Sequence, residues 1–263
     1  MSESTHKPLE GRLAVITGGG RGIGAACAQF LAEAGASVVV AARSTDQIEA
    51  VADDLRGAGH RAWGIPCDVA DPESVDELAR RSAEHGTVDI LVANAGIASS
   101  SPVVRQELDE WNRIFAVNVT GVFLCTRAFL PGMLAAGWGR VVNVASVAGK
   151  MGGPYIAAYS ASKHAVIGFT RSLALEVATQ GVTVNAVCPG YVDTDMTVQS
   201  VDTIVGKTGK DEEAARGVLE QMSPQRRIFR SEEVAHQVLQ LCHPLAEGVN
   251  GQSVIIDGGA FQA

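Results

Sequence analysis

Seven short, mostly apolar runs, separated by segments of helical periodicity, restrict the fold of this chain more than any other feature. They lie at residues 12–17, 37–42, 61–66, 88–93, 140–145, 182–187 and 253–256. Continuous apolar runs of this length are typical of parallel strands covered by helices on both faces. No linker and no internal repeat interrupts the alternation. The sequence therefore predicts an α/β fold: one doubly wound domain over residues 1–263, with a parallel sheet of about seven strands.

Three segments between the strands carry predictions that bear on function. A long helix pair is expected over residues 109–136, with a break near Pro131, because proline lacks the N–H that a helix interior needs. Residues 157–178 have apolar residues at helical spacing and contain no proline. From residue 195 the alternation stops, and the chain becomes polar and mixed in charge. Because long insertions in compact domains are usually functional, we expect a helical substrate lid over about residues 195–230.

Composition argues against several classes of partner. The formal net charge is −8, whereas nucleic-acid binding needs a basic face. The five cysteines are scattered and form no C-x-x-C pair, which predicts buried free thiols in a reducing compartment and no metal site. The N-terminus lacks the apolar core of a signal peptide, and no apolar run approaches the roughly 20 residues of a membrane span. We therefore expect a cytoplasmic protein with no membrane or nucleic-acid partner.

Three polar side chains are predicted to meet at one edge of the sheet. Ser146 directly follows the strand at residues 140–145, and open α/β sheets bind ligands at the carboxyl ends of their strands. Tyr159 and Lys163 lie four residues apart on the next helix, so they share one face. A free phenol has a pKa of about 10, which a neighbouring ammonium lowers. Tyr159 can then exchange a proton with a substrate oxygen while Ser146 hydrogen-bonds the same oxygen.

A glycine-rich turn at residues 18–24 follows the first strand and opens the first helix. In this position the backbone N–H groups and the helix N-terminus face a pyrophosphate, and glycines let it approach closely. The spacing matches G-x-G-x-x-G only loosely, as Gly20-x-Gly22-x-x-Ala25, so a turn without a ligand is the alternative. The position of the turn between strand and helix favours a dinucleotide site.

Together these motifs resemble the short-chain dehydrogenase/reductase family. The matching residues are Thr17-Gly18-x-x-x-Gly22-Ile23-Gly24, Asn94-Ala95-Gly96, Ser146, Tyr159-x-x-x-Lys163 and Pro189-Gly190. The resemblance covers about residues 10–260 and implies a Rossmann-type sheet with strand order 3-2-1-4-5-6-7. It also implies hydride transfer with a nicotinamide cofactor. One departure is Ala93, where the family usually has asparagine, and we expect its consequence to be structural rather than catalytic.

The resemblance implies roles for individual residues. Tyr159 would be the general acid for carbonyl reduction or the base for alcohol oxidation, and Lys163 would lower its pKa and hold the nicotinamide ribose. Ser146 would orient the carbonyl, and Asn118 would hold a water in a proton relay. A purely structural role is the alternative for Ser146, Asn118 and Thr194, and for Tyr159 it is a half-buried aromatic ring whose hydroxyl meets water. The residues expected to contact the cofactor are Gly18, Arg21, Gly22, Ile23, Gly24, Arg43, Asp68, Val69, Asn94, Ala95, Gly96, Tyr159, Lys163, Pro189, Gly190, Val192 and Thr194.

The residues after the second strand favour NADP(H). NAD selectivity usually needs an acidic residue about 20 positions past the glycine loop, where this chain has Ala41-Ala42-Arg43. Arg21 and Arg43 could both face a 2′-phosphate, a pattern similar to that of NADP-preferring members of the family. If the two arginines are only exposed charges, NAD(H) is the alternative cofactor.

The residues expected to contact substrate are Ser146, Ala148, Met151, Tyr155, Tyr159, Tyr191 and Met196. This set contains no arginine or lysine, so an apolar ketone fits better than a small charged acid. Residues 159–170 and 182–192 are similar to 3-oxoacyl thioester reductases, 3-hydroxyacyl dehydrogenases and polyketide ketoreductases. We therefore expect interconversion of a ketone and a secondary alcohol, with a 3-oxoacyl thioester or a similar apolar ketone as substrate.

Several alternatives stay open at this point. One is a dehydrogenase of an unrelated secondary alcohol (aryl, alicyclic, steroid or polyol). Others are a catalytically silent cofactor-binding regulator and a sugar-nucleotide epimerase or dehydratase. Basic residues of the lid region could meet the phosphates of coenzyme A or a carrier protein, or pair with nearby acids. They are Lys207, Lys210, Arg216, Arg226, Arg227 and Arg230. The family resemblance implies a homotetramer, or a dimer, through the helices at residues 109–136 and 157–178.

Overall fold

A computed structural model describes residues 7–262. Residues 1–6 and 263 lie outside the described residues. The first six of them make up most of the N-terminal stretch that was predicted not to be a signal peptide. The strands are β1 Leu13–Thr17, β2 Ser37–Ala42, β3 Ala62–Pro66, β4 Ile90–Ala93, β5 Gly139–Val144, β6 Val182–Pro189 and β7 Ser253–Ile256. They form one parallel sheet in the order β3-β2-β1-β4-β5-β6-β7. The predicted parallel sheet and its strand order are confirmed.

Helices connect the strands. They are α1 Gly22–Glu33, α2 Thr45–Gly57, α3 Pro72–Ala83, α4 Leu108–Phe115, α5 Gly121–Ala136, α6 Ala157–Glu176, α7 Asp195–Thr208, α8 Glu212–Glu220 and α9 Ser231–Cys242. Local signals set several ends: the Asp71 side chain accepts the N–H of Glu73 and caps α3, and Gly35 follows α1 with φ 104°. The segment predicted as a lid is helical over α7 and α8.

The sheet is covered on both faces, which is why its strands are apolar throughout. Along β1, Ala14 and Ile16 join a buried cluster with residues of α1, α2 and α9. The alternate residues Leu13 and Val15 join a second cluster with residues of α3, α5 and α6. Each fully buried aliphatic side chain of these layers stabilises the fold by about 1.5–3 kcal/mol.

The predicted helix break near Pro131 is wrong. Helix α5 runs through Pro131 to Ala136, and the irregularity lies earlier, in a π-helical turn over Ala116–Thr120 between α4 and α5. Pro131 is exposed, so water can hydrate the carbonyl that loses its helical partner there. The π turn places Asn118 in the protein interior.

Among the described helices, the stretch Leu108–Ala136 is long and apolar enough to cross a membrane by length and composition alone. In its most apolar window, 44% of the residues are buried inside the protein. A helix packed into a protein core meets the same criteria, so this is a weak indication of a membrane span.

The cysteines are buried free thiols, as predicted: Cys27, Cys67, Cys125, Cys188 and Cys242. Burial raises the pKa of each thiol, which makes the reactive thiolate scarce. Over residues 7–262, no group of three or more His, Cys, Asp and Glu side chains is placed to hold a metal ion.

Arg140 is a fully buried charge at the start of β5. Its guanidinium donates to the carbonyls of Gly139 at 2.8 Å, Gly181 at 3.3 Å and Pro244 at 3.4 Å. It also lies 4.4 Å from the centroid of the Trp138 ring. Burial lowers the pKa of Arg140, since the charged form loses hydration that carbonyl oxygens replace only in part. Arg140 thus ties together three separate segments at the amino-terminal edge of the sheet.

We expect Arg140→Ala to lower the free energy of unfolding by about 2–4 kcal/mol, because it leaves buried carbonyls unpaired and opens a cavity. Arg140→Met should lower it less, since methionine fills the space and removes the buried charge. Urea denaturation followed by circular dichroism measures both. The exposed Arg105→Ala serves as the control, within about 0.5 kcal/mol of the parent. An Arg140→Ala variant as stable as this control would contradict the assignment.

Candidate active site

The carboxyl ends of β5 and β6 meet where Ser146 lies, as expected for neighbouring parallel strands. Ser146 is buried, and its hydroxyl accepts the N–H of Ala148 at 3.1 Å. The same hydroxyl donates to the carbonyl of Pro189, the last residue of β6, at 3.5 Å. Ser146 therefore sits between two strand ends with its orientation set by the backbone on either side.

Tyr159 and Lys163 occupy the first two turns of α6, which begins at Ala157. The Lys163 ammonium is buried and donates to the carbonyl of Val144, the last residue of β5, at 2.8 Å. It lies 5.7 Å from the centroid of the Tyr159 ring. The Tyr159 hydroxyl interacts with the hydroxyl of Ser146. The structure thus brings together the three residues that the sequence placed at this edge.

The direction of the Tyr159 pKa shift differs from the prediction. Burial raises the pKa of Tyr159, because the phenolate loses hydration, and the hydrogen bond with Ser146 offsets this only in part. Burial likewise lowers the pKa of Lys163 to about 8. The ammonium donates its hydrogen bond to the Val144 carbonyl and lies 5.7 Å from the centroid of the Tyr159 ring. Burial thus outweighs any lowering effect of Lys163 on the pKa of Tyr159, and the role that the resemblance implies for Lys163 stays a prediction.

Asn118 uses its side chain to connect two segments of the site. Its Oδ1 accepts the N–H of Ile97 at 2.9 Å, and its Nδ2 donates to the Ile97 carbonyl at 2.9 Å and to the Ser162 hydroxyl at 3.0 Å. Ser162 in turn donates to the carbonyl of Tyr159 at 2.7 Å. Both amide hydrogens of Asn118 are thus committed to protein partners. The structural role that the sequence left open is observed, and the relay water stays a prediction.

Two serines of α6 were missed by sequence reasoning. Ser162 is fully buried between Tyr159 and Lys163, and it links the catalytic turn to Asn118. Ser160 donates to the carbonyl of Ala148 at 2.6 Å and approaches that of Met151 at 3.3 Å, so it anchors the loop that follows Ser146. The signal that could have identified them is a hydroxyl at a buried helix position, which needs a partner.

The other residues expected to contact substrate surround this edge. Ala148 is buried, whereas Met151 and Tyr155 on the same loop are exposed. Tyr191 follows β6, lies close enough to Tyr159 to raise its pKa, and packs against residues of α7 and α8. Met196 is half-buried in the first turn of α7.

The lid segment leaves the sheet and returns to it at one place. Val192 pairs with Phe229 in an isolated bridge, and the Phe229 N–H donates to the carbonyl of Tyr191 at 2.8 Å. Helices α7 and α8 therefore form an excursion whose two ends are joined beside β6. At the far end of α7, Lys207 donates to the carbonyl of Ser100 at 3.4 Å.

The glycine loop is closely packed and open to an anion. Gly18 and Gly22 have φ of 62° and 52°, and a Cβ on Gly24 would lie 2.2 Å from the Gly18 carbonyl oxygen. The Asn94 side chain donates to the carbonyls of Thr17 at 2.9 Å and Gly18 at 3.0 Å. Helix α1 has no side-chain cap and no acidic residue in its first turn, so its N–H groups are available to a phosphate.

Comparisons with known proteins decide the family. A family model described as short chain dehydrogenase matches residues 12–204. The chain belongs to the short-chain dehydrogenase family. The 3-oxoacyl-(acyl-carrier-protein) reductase FabG of Vibrio cholerae is 40% identical over 254 residues, which are 96% of this chain and 98% of that protein. This chain is thus an oxidoreductase of that family.

Two further relatives differ in what their names say they act on. Cis-4-hydroxycyclohexanecarboxylate dehydrogenase of Sinomonas cyclohexanicum is 41% identical over 252 residues, which are 94% of this chain and 96% of that protein. A crystal structure of a variant of actinorhodin polyketide ketoreductase with NADPH superposes with a TM-score of 0.92 and 37% identity. The superposition covers 95% of this chain and 97% of the ketoreductase chain.

In this short-chain dehydrogenase the two arginines expected to contact the cofactor differ in their ion pairing. Arg43, after β2, is exposed and makes no ion pair with any of residues 7–262. Arg21 forms an exposed ion pair with Asp195, at 2.5 Å, in the first turn of α7. Asp68 accepts the N–H of Ala70 at 3.0 Å. Of the two arginines, therefore, only Arg21 has an ion-pair partner among residues 7–262.

The other predicted cofactor residues line the same edge. Val69 is buried against Gly121, where an added Cβ would lie 2.8 Å from the valine side chain. Gly190 donates to the carbonyl of Ile256 at 2.9 Å, which holds the turn after β6 on β7. Thr194 precedes α7, and a Cβ on Gly22 would lie 3.0 Å from its methyl group. The glycine loop and the start of the lid are thus in contact. Ile23 lies in the first turn of α1, and Pro189 ends β6. Ala95 and Gly96 lie just after β4.

We expect the Lys163 ammonium to titrate near pH 8, because burial disfavours its charged form. The pKa in the unfolded chain is the ordinary 10.5, so the unfolded state binds more protons between the two values. The contribution of Lys163 to stability should therefore rise as the pH increases from about 8 to 10.5. Lysine ¹⁵Nζ chemical shifts measured against pH give the midpoint, and the signal is assigned by its loss in Lys163→Arg. A Lys163 signal that still keeps its proton at pH 10 would contradict this expectation.

Proposed function

We propose that this short-chain dehydrogenase reduces a ketone to a secondary alcohol, and catalyses the reverse reaction, with NADP(H). The observation that carries the proposal is the pairing of the Ser146 and Tyr159 hydroxyls at the carboxyl edge of the sheet, one helical turn from buried Lys163. Two hydroxyls side by side can hold one substrate oxygen and exchange a proton with it.

The chain's own residues suit the reductive direction. NADP(H), when bound, supplies or accepts the hydride. Tyr159 donates its proton to the carbonyl oxygen, and its raised pKa keeps that proton in place at neutral pH. Ser146 donates a hydrogen bond to the same oxygen and polarises the carbonyl. Lys163 is placed to stabilise the phenolate that remains and to hold a ribose hydroxyl. Asn118 and Ser162 position the catalytic turn.

The preference for NADP(H) over NAD(H) is supported by the absence of an acidic residue at the end of β2 and by the exposed Arg43. Arg21 would exchange Asp195 for the 2′-phosphate. An exposed ion pair of this kind contributes about 0–1 kcal/mol to stability, so replacing Asp195 by the phosphate loses little free energy. The related polyketide ketoreductase was crystallised with NADPH. NAD(H) is the alternative cofactor.

For the substrate, we propose a 3-oxoacyl thioester or a similar apolar ketone. The relative from Vibrio cholerae is named for a 3-oxoacyl carrier-protein substrate. Coenzyme A or a carrier protein would then be the thioester partner. Two cations near the lid are engaged by acids: Arg216 with Asp193 and Glu220, and Arg227 with Glu233. Pairing with acids, the alternative from the sequence, is thus observed for these two residues.

An alicyclic alcohol is the second candidate substrate. The relative from Sinomonas cyclohexanicum, named for a hydroxycyclohexane carboxylate, has an identity similar to that of the reductase from Vibrio cholerae. Exposed apolar side chains on the loop after Ser146, Met151 and Tyr155, would suit such a ring. A polyol is a further candidate, because a solved gluconate 5-dehydrogenase from Burkholderia cenocepacia, in complex with NADP and tartrate, is 34% identical to this chain. The steroid alternative and the silent regulator have no specific observation in their favour.

We also propose a cytoplasmic homotetramer or dimer. Helices α5 and α6 expose Phe123 and Leu175, large apolar residues that a second copy would cover. We further propose one domain over residues 1–263, with residues 195–230 as the lid over the substrate.

Reduction should be visible as NADPH oxidation with acetoacetyl-CoA, read at the nicotinamide absorbance. Tyr159→Phe should lower kcat roughly a hundredfold or more, because the proton donor is lost. Its melting temperature and its NADPH binding should match the parent, which separates catalysis from folding. A Tyr159→Phe enzyme that reduces any ketone at the parental rate would contradict the mechanism.

Arg43→Asp should lower the ratio of kcat/KM with NADPH to kcat/KM with NADH at least tenfold, which corresponds to about 1.4 kcal/mol. The new carboxylate repels a 2′-phosphate and can accept the ribose 2′-OH of NADH. Arg61→Asp makes the same charge change at the start of β3, on the opposite edge, and should leave the ratio unchanged. Equal ratios in the two variants would overturn the cofactor assignment.

A further inference from the structure

Tyr155 has a backbone conformation that is unusual for its size. Its φ is 66°, in the left-handed region, and the only other non-glycine residue with positive φ over residues 7–262 is Arg226. A bulky aromatic residue adopts this region at a conformational cost that glycine does not have. Such strain persists only where surrounding contacts impose it, and it is concentrated at functional sites.

Hydrogen bonds on both sides impose this conformation. The Tyr155 carbonyl accepts the N–H of Ser101 at 2.8 Å, which joins the loop before α6 to the loop after β4. Four residues earlier, the Met151 carbonyl faces the Ser160 hydroxyl of α6 at 3.3 Å. The loop at residues 150–156 is therefore anchored on the catalytic helix and on the neighbouring loop.

The Tyr155 ring does little for the fold. It is 61% exposed, and within residues 7–262 it stacks on no other ring and its hydroxyl makes no hydrogen bond. The anchoring hydrogen bond uses only its backbone carbonyl, which glycine would supply equally well. Neither packing nor hydrogen bonding thus explains why an aromatic side chain occupies a position suited to glycine.

The ring's place in the fold offers an explanation. Tyr155 lies four residues before Tyr159, just ahead of α6. Met151, 46% exposed, belongs to the same loop. The loop bonded to Tyr155 continues into Val103 and Val104, which are largely exposed. Exposed apolar side chains thus occupy two loops that a backbone hydrogen bond joins, and one of these loops leads directly into the turn that carries Tyr159.

We infer that Tyr155 is a specificity-determining residue, whose ring selects ketones that carry a flat ring over ketones with a flexible saturated chain. A flat substrate can stack on the exposed aromatic face without losing internal freedom. A saturated chain must give up several rotamers to lie along the same face. This inference rests on the proposed ketone reduction and defines the part of the substrate beyond the carbonyl.

The test compares two ketones of ten carbons each, 2-tetralone and 2-decanone, by kcat/KM with NADPH. The wild-type enzyme should prefer 2-tetralone. Tyr155→Gly should lower that preference at least tenfold, mainly through KM for 2-tetralone, and should raise the melting temperature because the strain is relieved. Tyr155→Phe keeps the ring and should keep the preference.

Tyr155→Leu separates the ring from backbone flexibility, because it keeps an apolar side chain and the strain but removes the aromatic face. It should lose the preference as Tyr155→Gly does, with no rise in melting temperature. A preference unchanged in both variants, or lost only in Tyr155→Gly, would overturn the inference. So would a wild-type enzyme that reduces acetoacetyl-CoA but neither ten-carbon ketone, although the proposed reductase function would survive. NADPH oxidation with none of the three substrates would instead contradict the proposed function itself.

Discussion

A buried ammonium bonded to the last carbonyl of β5 holds the catalytic helix against the sheet. Lys163, one helical turn beyond Tyr159, donates this hydrogen bond at 2.8 Å to the carbonyl of Val144. Val144 lies two residues before Ser146. The separation of the two hydroxyls therefore depends on this bond. The same lack of water that lowers the pKa of Lys163 to about 8 also raises that of Tyr159. Burial thus shifts the pKa values of both groups toward their neutral forms.

The loops around the site differ in how firmly the structure holds them. Asn118 and Ser162 connect the loop after β4 to the catalytic turn through buried hydrogen bonds, which are strong because water does not compete for the partners. The start of the lid touches the glycine loop only through an exposed ion pair from Arg21 and a close approach to Gly22. The reacting groups thus sit on rigid elements, whereas the lid is held by contacts that a ligand can replace. Tyr155 adds strain at the rim, in keeping with a site that favours function over stability.

Much of the fold and the centre of the site could be predicted because they depend on short-range patterns. A continuous apolar run specifies a strand covered on both sides, and seven such runs produced the seven observed strands within two residues at each end. Spacing of four residues on a helix is enough to place Tyr159 and Lys163 on one face, and Ser146 reaches them because it directly follows a parallel strand. The exception was Pro131, since local propensity predicts a break that solvent exposure makes tolerable.

The amino-acid sequence by itself determined the strands, the helices, the family resemblance and the three residues at the catalytic edge. Only the tertiary structure decided the direction of the Tyr159 pKa shift, because burial is produced by elements far apart in the chain. It also decided that Asn118 binds Ile97 and Ser162, and that Arg21 pairs with Asp195, 174 residues away. Partners of this kind depend on which surfaces meet when the sheet and helices pack. Local patterns in the sequence do not specify contacts between residues that are so far apart in the chain.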